Sequence, residues 1–535
     1  MTLGFASVVP PALAAQGATS AHAVVLPQTS ALATGAGTRL WSYTNPPEGW
    51  VAWIVSIGNS GTEALSQFGP YADYTRMFSG YSGPGVAPAW QVQESVPTQR
   101  HRVDSADDLD VHVSMYDKPE PSSTTGMRRV ILRKFRSSDP SGAWTYTWPV
   151  LSNGHDRFWP KISRDGQTIV ALVHNINTGL EDLSVFGPNS SVPLRSFSYS
   201  TLGPAKAFNL SADGRVAVIA GDIKYVLVDT LTGATLHSAI LFSQTYLGHG
   251  LSGNGSIYAF GSNNTVSIVR RNPTSGVYSL AYTHNVAGAN YCNHLDVSEN
   301  GATCALAFNF TDDWNKVVIQ ALDLATYATT MSETVIGSGA LQNVCSSVSA
   351  SSDGSRFAVG LWGDQNGLSP EIRVYNRNQS TPLWTYDLPG SVNALDLSSD
   401  GRRLAVASKA IHANILGGGG QVDLFQVEDE DLVVDGVPRA GSSVNVTVRG
   451  TPGTPAILLL APSLAAQPIV FPTLGTLYLS RTSLSTMAMG TVNPLGTASV
   501  SLPISSTPGA TVYLQGYSSS PRRLGRTYLK LTAIP

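Results

Sequence analysis

Along most of the chain, short apolar runs rich in Val, Ile, Leu and aromatic residues are separated by clusters of Gly, Ser, Asn and Asp, a pattern that reads as strands and turns. One junction between runs recurs. It reads Ile162-Ser163-Arg164-Asp165-Gly166 before Thr168–Val173, and Leu210-Ser211-Ala212-Asp213-Gly214 before Val216–Ala220. It returns at Leu251–Gly255, Val297–Gly301, Ala350–Gly354 and Leu397–Gly401. Asn-Gly and Asp-Gly between strand-like runs tolerate the positive φ of a tight hairpin turn. The six phrases are spaced by 48, 41, 46, 53 and 47 residues. A period in the forties built of strands is the sequence sign of propeller blades.

Each repeat reads as four strands, with the phrase joining the first two. The repeat at 292–335 shows the scheme, in Cys292–Val297, Thr303–Phe308, Val317–Leu322 and Thr329–Val335. Fourth strands share an aromatic wording, Pro382-Leu383-Trp384-Thr385-Tyr386, Gly142-Ala143-Trp144-Thr145-Tyr146 and Ala89-Trp90-Gln91-Val92, which suits a pleated surface packed between sheets. Two weaker repeats precede these, Trp53 to Asn59-Ser60-Gly61 and Arg102 to Asp108, the latter followed by Leu109–Met115. Thr38–Tyr43 matches the fourth-strand wording but has no repeat before it, and the last repeat stops one strand short after Val427. Residues 38–44 are therefore expected to complete the last blade and close the ring, which protects strand edges. The expected fold is all-β, an eight-bladed β-propeller over 38–428, or seven-bladed if one weak repeat is an insertion.

After the acidic hinge Glu428–Asp431 the pattern changes. Val444–Val448, Ala456–Leu460, Gly475–Ser480, Ala498–Leu502, Thr511–Gln515 and Thr527–Leu531 read as six short strands, and 433–535 is expected to be a small β-sandwich. At the other end, 1–37 reads as a signal-peptide-like leader and a disordered segment. Leu3–Ala15 is mostly apolar, and Ala12-Leu13-Ala14 and Ala21-His22-Ala23 have the form of a cleavage site, although a positive n-region is missing.

Composition supports this reading. Charged residues are 13% of the 535, about half the usual share, which suits a loop-rich β protein outside the cytosol. A net charge of −3 leaves no electrostatic footprint for nucleic acid. No apolar run reaches membrane-spanning length, and three cysteines are too few for a disulfide scaffold.

The Ser-x-Asp-Gly hairpins resemble those of bacterial WD40-like and TolB-like propellers. The Leu-Trp-Ser/Thr-Tyr strands resemble the tryptophan strands of quinoprotein (PQQ-type) eight-bladed propellers. The resemblance spans about residues 38–428 and implies a fold shared by many activities. The C-terminal wording is loosely similar to terminal modules of secreted bacterial proteins, which implies attachment, sorting or stabilisation.

In a propeller the first strand of each blade lines the channel, and the segments entering it hold His101, His155, Asp156, Arg157, Lys206, His249, Asn290, His294 and Asn343. A ring of imidazoles could bind a metal or an anionic ligand, yet chance places histidines equally well on a loop-rich surface. Asp108, Asp110 and His112 alternate along one strand opposite Arg128, Arg129, Arg133, Lys134 and Arg136, which favours cross-strand ion pairs over a metal site. Cys292 and Cys345 hold equivalent positions in adjacent repeats, so a disulfide between them is one expectation for an exported chain, with Cys304 a buried hydrophobe. Gly-x-Ser-x-Gly, His-Glu-x-x-His and P-loop patterns are missing, as is the adjacent cysteine pair of quinoprotein alcohol dehydrogenases.

The expected function is a secreted, periplasmic or cell-surface scaffold binding a protein or a carbohydrate, monomeric, without metal or cofactor, with the loops Phe68–Pro88 and Tyr116–Gly126 as contact surfaces. The second reading is an exported hydrolase, lyase or quinone-dependent oxidoreductase with its site at the channel mouth.

Overall fold

The computed structural model describes residues 39–44, 50–57, 63–70, 77–82, 88, 90–93, 101–106, 111–120, 128–136, 139–152, 158–241, 248–339, 342–412, 419–427, 432–435, 438–449, 453–471, 475–493, 497–519, 522–524 and 529–533. The chain divides into two compact units, 1–427 and 428–535.

In the first unit the described strands form eight four-stranded antiparallel sheets. Their inner strands are Trp50–Ile57, His101–Ser105, Phe158–Ile162, Ala205–Leu210, His249–Leu251, Tyr291–Val297, Cys345–Ala350 and Val392–Leu397. Each inner strand touches that of the next sheet, and the eighth touches the first. This cycle of meanders is a β-propeller. Second strands such as Ile169–Asn175 and Thr303–Asn309 are buried along their whole length. They are covered on both faces by neighbouring sheets, which is why they read as continuous apolar runs.

Seven sheets are built from four consecutive strands. The eighth takes Val392–Leu397, Arg403–Lys409 and Gly420–Gln426 from the end of the unit and Arg39–Thr44 from its start. Trp41 pairs with Leu424 and Tyr43 with Val422. Trp41 and Tyr43 are buried in a core that includes Ala52, Val55 and Ile57 of the first sheet, so this strand seals the first sheet against the last.

The recurring phrase folds the same way six times. Ser163 Oγ donates to Asp165 Oδ1 (2.6 Å) and accepts from Thr168 N (2.9 Å), while Asp165 Oδ1 also accepts from Gln167 N (2.9 Å). The bonds repeat at Ser211/Asp213, Ser252/Asn254, Ser298/Asn300, Ser351/Asp353 and Ser398/Asp400. The turn is longer than a two-residue hairpin: Ile162 pairs with Ile169, and within the phrase only the glycine has positive φ, 68° at Gly166. Gly354 shows a second reason for glycine, because a Cβ there would lie 2.6 Å from Thr303 Oγ1 of the preceding sheet.

Two expected loops are partly strand. Met77–Ser82 is the third strand of the first sheet, inside the Phe68–Pro88 stretch, and His112–Pro119 extends into Tyr116–Gly126. The Pro and Gly content of both stretches hid strands that pair with their own chain neighbours, Met77–Ser82 with Glu63–Phe68 and His112–Tyr116 with His101–Ser105. Asp108 and Asp110 lie outside the described residues. His112 is buried and bonds Ser105 Oγ through Nδ1 at 2.7 Å, and Arg128 pairs with Asp117 (2.8 Å) and Arg129 with Glu120.

The second unit is also strand-built. One sheet joins Leu432–Asp435, Ser443–Arg449 and Thr497–Pro503. Another orders Ser485–Thr491, Pro455–Ala461, Thr511–Ser519 and Arg522–Leu524, with Leu529–Thr532 also on Thr511–Ser519. Val446 and Leu502 of the first share a core with Leu458 and Leu514 of the second. The mostly exposed strand Ser485–Thr491 has too little apolar patterning to be read from sequence.

Replacing Trp41 by Ala should lower unfolding stability by about 3–5 kcal/mol, the usual cost of emptying a buried Trp site. Urea unfolding of the full chain checks this, and a loss below about 1 kcal/mol would show that the strand does not seal the ring.

Candidate functional site

The inner strand of each sheet has its second strand on one side only, so the backbone amides on its other edge face the enclosed axial space and need acceptors. One position supplies them. Two residues before the phrase serine, or its equivalent, stand Ser56, Asp104, Lys161, Asn209, Gly250, Asp296, Ser349 and Asp396. At four of these positions the side chain binds the next sheet. Asp104 Oδ2 accepts from Ile162 N (2.8 Å), Asp296 Oδ2 from Ala350 N (2.9 Å), Ser349 Oγ from Leu397 N (3.1 Å) and Asp396 Oδ2 from Ile57 N (3.0 Å).

Lys161 has no acceptor to offer and Gly250 has no side chain. In the sheets that follow them, Asn209 Oδ1 and Asp296 Oδ1 turn back and accept from their own neighbours Leu210 N and Val297 N, both at 2.9 Å. Gly250 is fixed by a close approach, since a Cβ there would lie 2.6 Å from Val297 N.

The result is an axial cluster of Asp104, Asp296 and Asp396 with Lys161, whose Nζ lies 3.1 Å from Asp104 Oδ1. Burial pushes Asp396 up to about 7 and Asp296 up to about 6, against the partial relief of their amide bonds; for Asp396 the charges of Asp104 and Asp296 add to the rise. Burial pulls on Lys161 in the opposite sense, but the charge and hydrogen bond of Asp104, with Asp396 and Asp296, outweigh it and raise the ammonium.

Two histidines named from the sequence join this space. Burial, together with Lys161 and Arg102, drives His249 down to about 3, and burial drives His294 down to about 4. Both imidazoles are neutral at physiological pH, and His249 Nδ1 is buried without a hydrogen-bond partner. The other named residues lie elsewhere or serve the scaffold. Lys206 pairs with Asp222 at 3.0 Å. Asn343 is buried, donating its backbone N–H to Trp314 O (3.0 Å) and Nδ2 to Ser369 Oγ (3.2 Å). His101 opens the second inner strand, and its side chain is outside the described residues, as are His155, Asp156 and Arg157. Among the described residues no group of His, Cys, Asp and Glu is arranged to hold a metal ion.

Cys292 and Cys345 are buried free thiols, as is Cys304. The Cys292–Cys345 bridge is not made, and the two thiols donate to His294 O (3.6 Å) and Ser347 O (3.5 Å).

At the phrase end the turns are joined to each other. Arg164 N donates to Ala212 O (2.8 Å), Asp213 N to Gly253 O (3.1 Å), Gly253 N to Glu299 O (2.8 Å), Asn300 N to Ser352 O (3.0 Å) and Ser352 N to Ser399 O (2.8 Å). They surround an open depression of about 670 Å³. The Arg164 guanidinium reaches across it from the third sheet to Glu299 of the sixth and Ser399 of the eighth.

No protein-family model matches the chain, and no curated protein matches it. Among solved structures it is similar to Chaetomium thermophilum Sqt1 bound to the N-terminus of the ribosomal protein L10. That likeness has a TM-score of 0.50 and 14% identity, and covers 73% of this chain and 100% of that one. It is also similar to a chain of the mitotic checkpoint complex, with a TM-score of 0.41, 15% identity, and coverage of 59% and 84%. At this identity the likeness concerns fold alone, a WD40-like β-propeller.

A carboxyl whose folded pKa is raised favours the folded state below its unfolded pKa, and that advantage is lost as pH rises through the folded value. The stability of the wild type relative to Asp396→Asn should therefore fall as pH rises from the ordinary carboxyl value of about 4 to about 7, and level off above it. Denaturant unfolding at a series of pH values checks this, and a difference independent of pH over that range would contradict the assignment.

Proposed function

We propose that the eight sheets are the blades of one eight-bladed ring and that the protein is an exported scaffold binding a peptide segment of a partner protein. The segment docks at the end opposite the recurring turns. One observation carries this reading, the placement of exposed apolar side chains. In a four-stranded meander the connections between second and third strands, and from the fourth strand to the next sheet, share one end. Among the described residues Leu202, Ile223, Ile240, Trp314, Ile336 and Leu368 on that end are all more than a third exposed, against a smaller set of Val192, Leu194, Leu231 and Val277 on the phrase end.

Connection length there varies from two residues, between Gly221 and Lys224, to the long stretch between Leu361 and Ile372. Long connections on a rigid frame are where binding groups concentrate. The phrase end is a poorer docking face, since its turns are bonded to one another and Arg164 spans the middle. The axial carboxylates serve as acceptors for strand edges, which gives them a structural task. Sqt1, similar in fold, is described with the N-terminus of a ribosomal protein bound, a precedent for a propeller that takes a chain terminus.

Export rests on the apolar leader and its small-residue cleavage patterns. The second unit fits a small β-sandwich that attaches or sorts the protein.

Selection of a random-peptide display library on the full chain tests the docking face. Selected peptides should bind Trp314→Ala and Ile223→Asp at least about tenfold more weakly, a difference of about 1.4 kcal/mol, and Val277→Asp at the phrase end unchanged. Peptides sensitive to Val277→Asp alone would place the docking face on the wrong end.

A further inference from the structure

The connection from the third sheet to the fourth, Ser200–Pro204, holds backbone strain that its own packing does not explain. Leu202 has φ 55° and Gly203 φ 133°. The left-handed region is unfavourable for a residue with a Cβ, and more so for a bulky one. Tyr327 makes a useful contrast. It too has a left-handed φ, 60°, but its ring stacks on Tyr282 at 4.7 Å and lies under Arg270, so contacts offset the strain. The Leu202 side chain is 50% exposed.

The two ends of the connection are held firmly. Thr201 is buried against Gly221, where a Cβ would lie 2.8 Å from Thr201 Cβ, and its Oγ1 donates to Gly203 O. At the far end Ala205 N donates to Glu181 Oε1 at 2.8 Å, and the same oxygen accepts from His174 Nδ1 at 2.8 Å. Glu181 is fully buried and His174 nearly so. They are register partners on the second and third strands of the third sheet. A buried carboxylate is costly unless it is bonded; Oε1 takes both bonds while Oε2 is buried without a partner. Because both bonded neighbours are fixed by the sheet, Glu181 is a rigid anchor for the amide it holds.

We propose that the Glu181–His174 pair is a latch which holds this connection in a strained form, and that the strain serves to present Leu202 as an anchor for a partner's apolar side chain. The proposal rests on the docking face argued above and adds a named contact and the device that sets it. Pre-organisation explains why the strain is kept: a loop already fixed in its binding form loses little entropy when a partner arrives.

Two measurements on the full chain, made without any ligand, test the latch. Melting temperatures should rank Leu202→Gly and Leu202→Asn above wild type and Leu202→Val below it, because Gly and Asn tolerate the left-handed region and a β-branched residue does not. The order expected if Leu202 acts by burial, wild type above Val above Asn and Gly, overturns the proposal. In hydrogen exchange, Glu181→Ala should speed exchange of the Ala205 amide at least about tenfold, roughly 1.4 kcal/mol of lost protection, while Ile169–Asn175 stays protected. Glu181→Gln keeps an acceptor oxygen and should restore much of the protection. Unchanged protection in both variants overturns the latch.

The peptides selected by display then test the contact, and those that bind the wild type should bind Leu202→Gly at least tenfold more weakly. Equal binding overturns the presenting role. If selection places peptides on the phrase end while the strain order and the exchange result hold, the docking face has failed and the latch has not.

Discussion

The innermost strand of every sheet in a ring has one edge with no strand beside it, and the amides along that edge still need acceptors. In this protein the requirement fixes the chemistry of the centre. Four of the eight inner strands reach forward to the next sheet with a carboxylate or hydroxyl oxygen, and Asp396 does so across the junction of the last sheet with the first. Each such bond adds a polar tie between neighbouring sheets whose apolar cores are already shared, as Ile57 and Ile162 show. The cost is that three aspartates share one enclosed space, where burial raises Asp296 and Asp396, the neighbouring carboxylates adding to the rise of Asp396, and Lys161 is a counter-ion rather than an acceptor. The acidic axis therefore follows from the way the ring is held together.

Two neighbouring positions show what could and could not be read from the chain. The Ser-x-Asp/Asn-Gly phrase was legible because its physics is local: serine, aspartate and glycine bond and turn within six residues, so the same letters must recur. The propeller followed from its spacing. The position two residues before the serine is occupied by Ser, Asp, Lys, Asn, Gly, Asp, Ser and Asp, which looks like variation. What recurs there is a task, the capping of an amide in another sheet, and different residues perform it or pass it on. Aligning the repeats on the phrase serine would have revealed a polar column without a single large apolar residue.

Histidines drew attention for their chemistry, and of those named, His249 and His294 do belong to the axis, as neutral rings. The expected thiol pair stood at equivalent positions in adjacent repeats, but position along a strand does not say which way a thiol bonds. The Leu202 strain was invisible for a similar reason, since nothing in Thr-Leu-Gly-Pro announces a left-handed leucine. Its neighbour Gly203 would have been the natural candidate.

The composite eighth sheet has a consequence for how the molecule comes into being. Arg39–Thr44 leaves the ribosome early, whereas its partner Gly420–Gln426 is made only after the seven intervening sheets. Until then the first sheet has no neighbour on one side and the early strand has no partner, so the most separated pairing in the unit is formed last. Topologies with such distant pairings fold slowly and expose edges meanwhile. During that interval the Arg39–Thr44 segment of one molecule can fill the vacant place in another, and the device that seals a finished ring is also the point at which two nascent rings become interlinked.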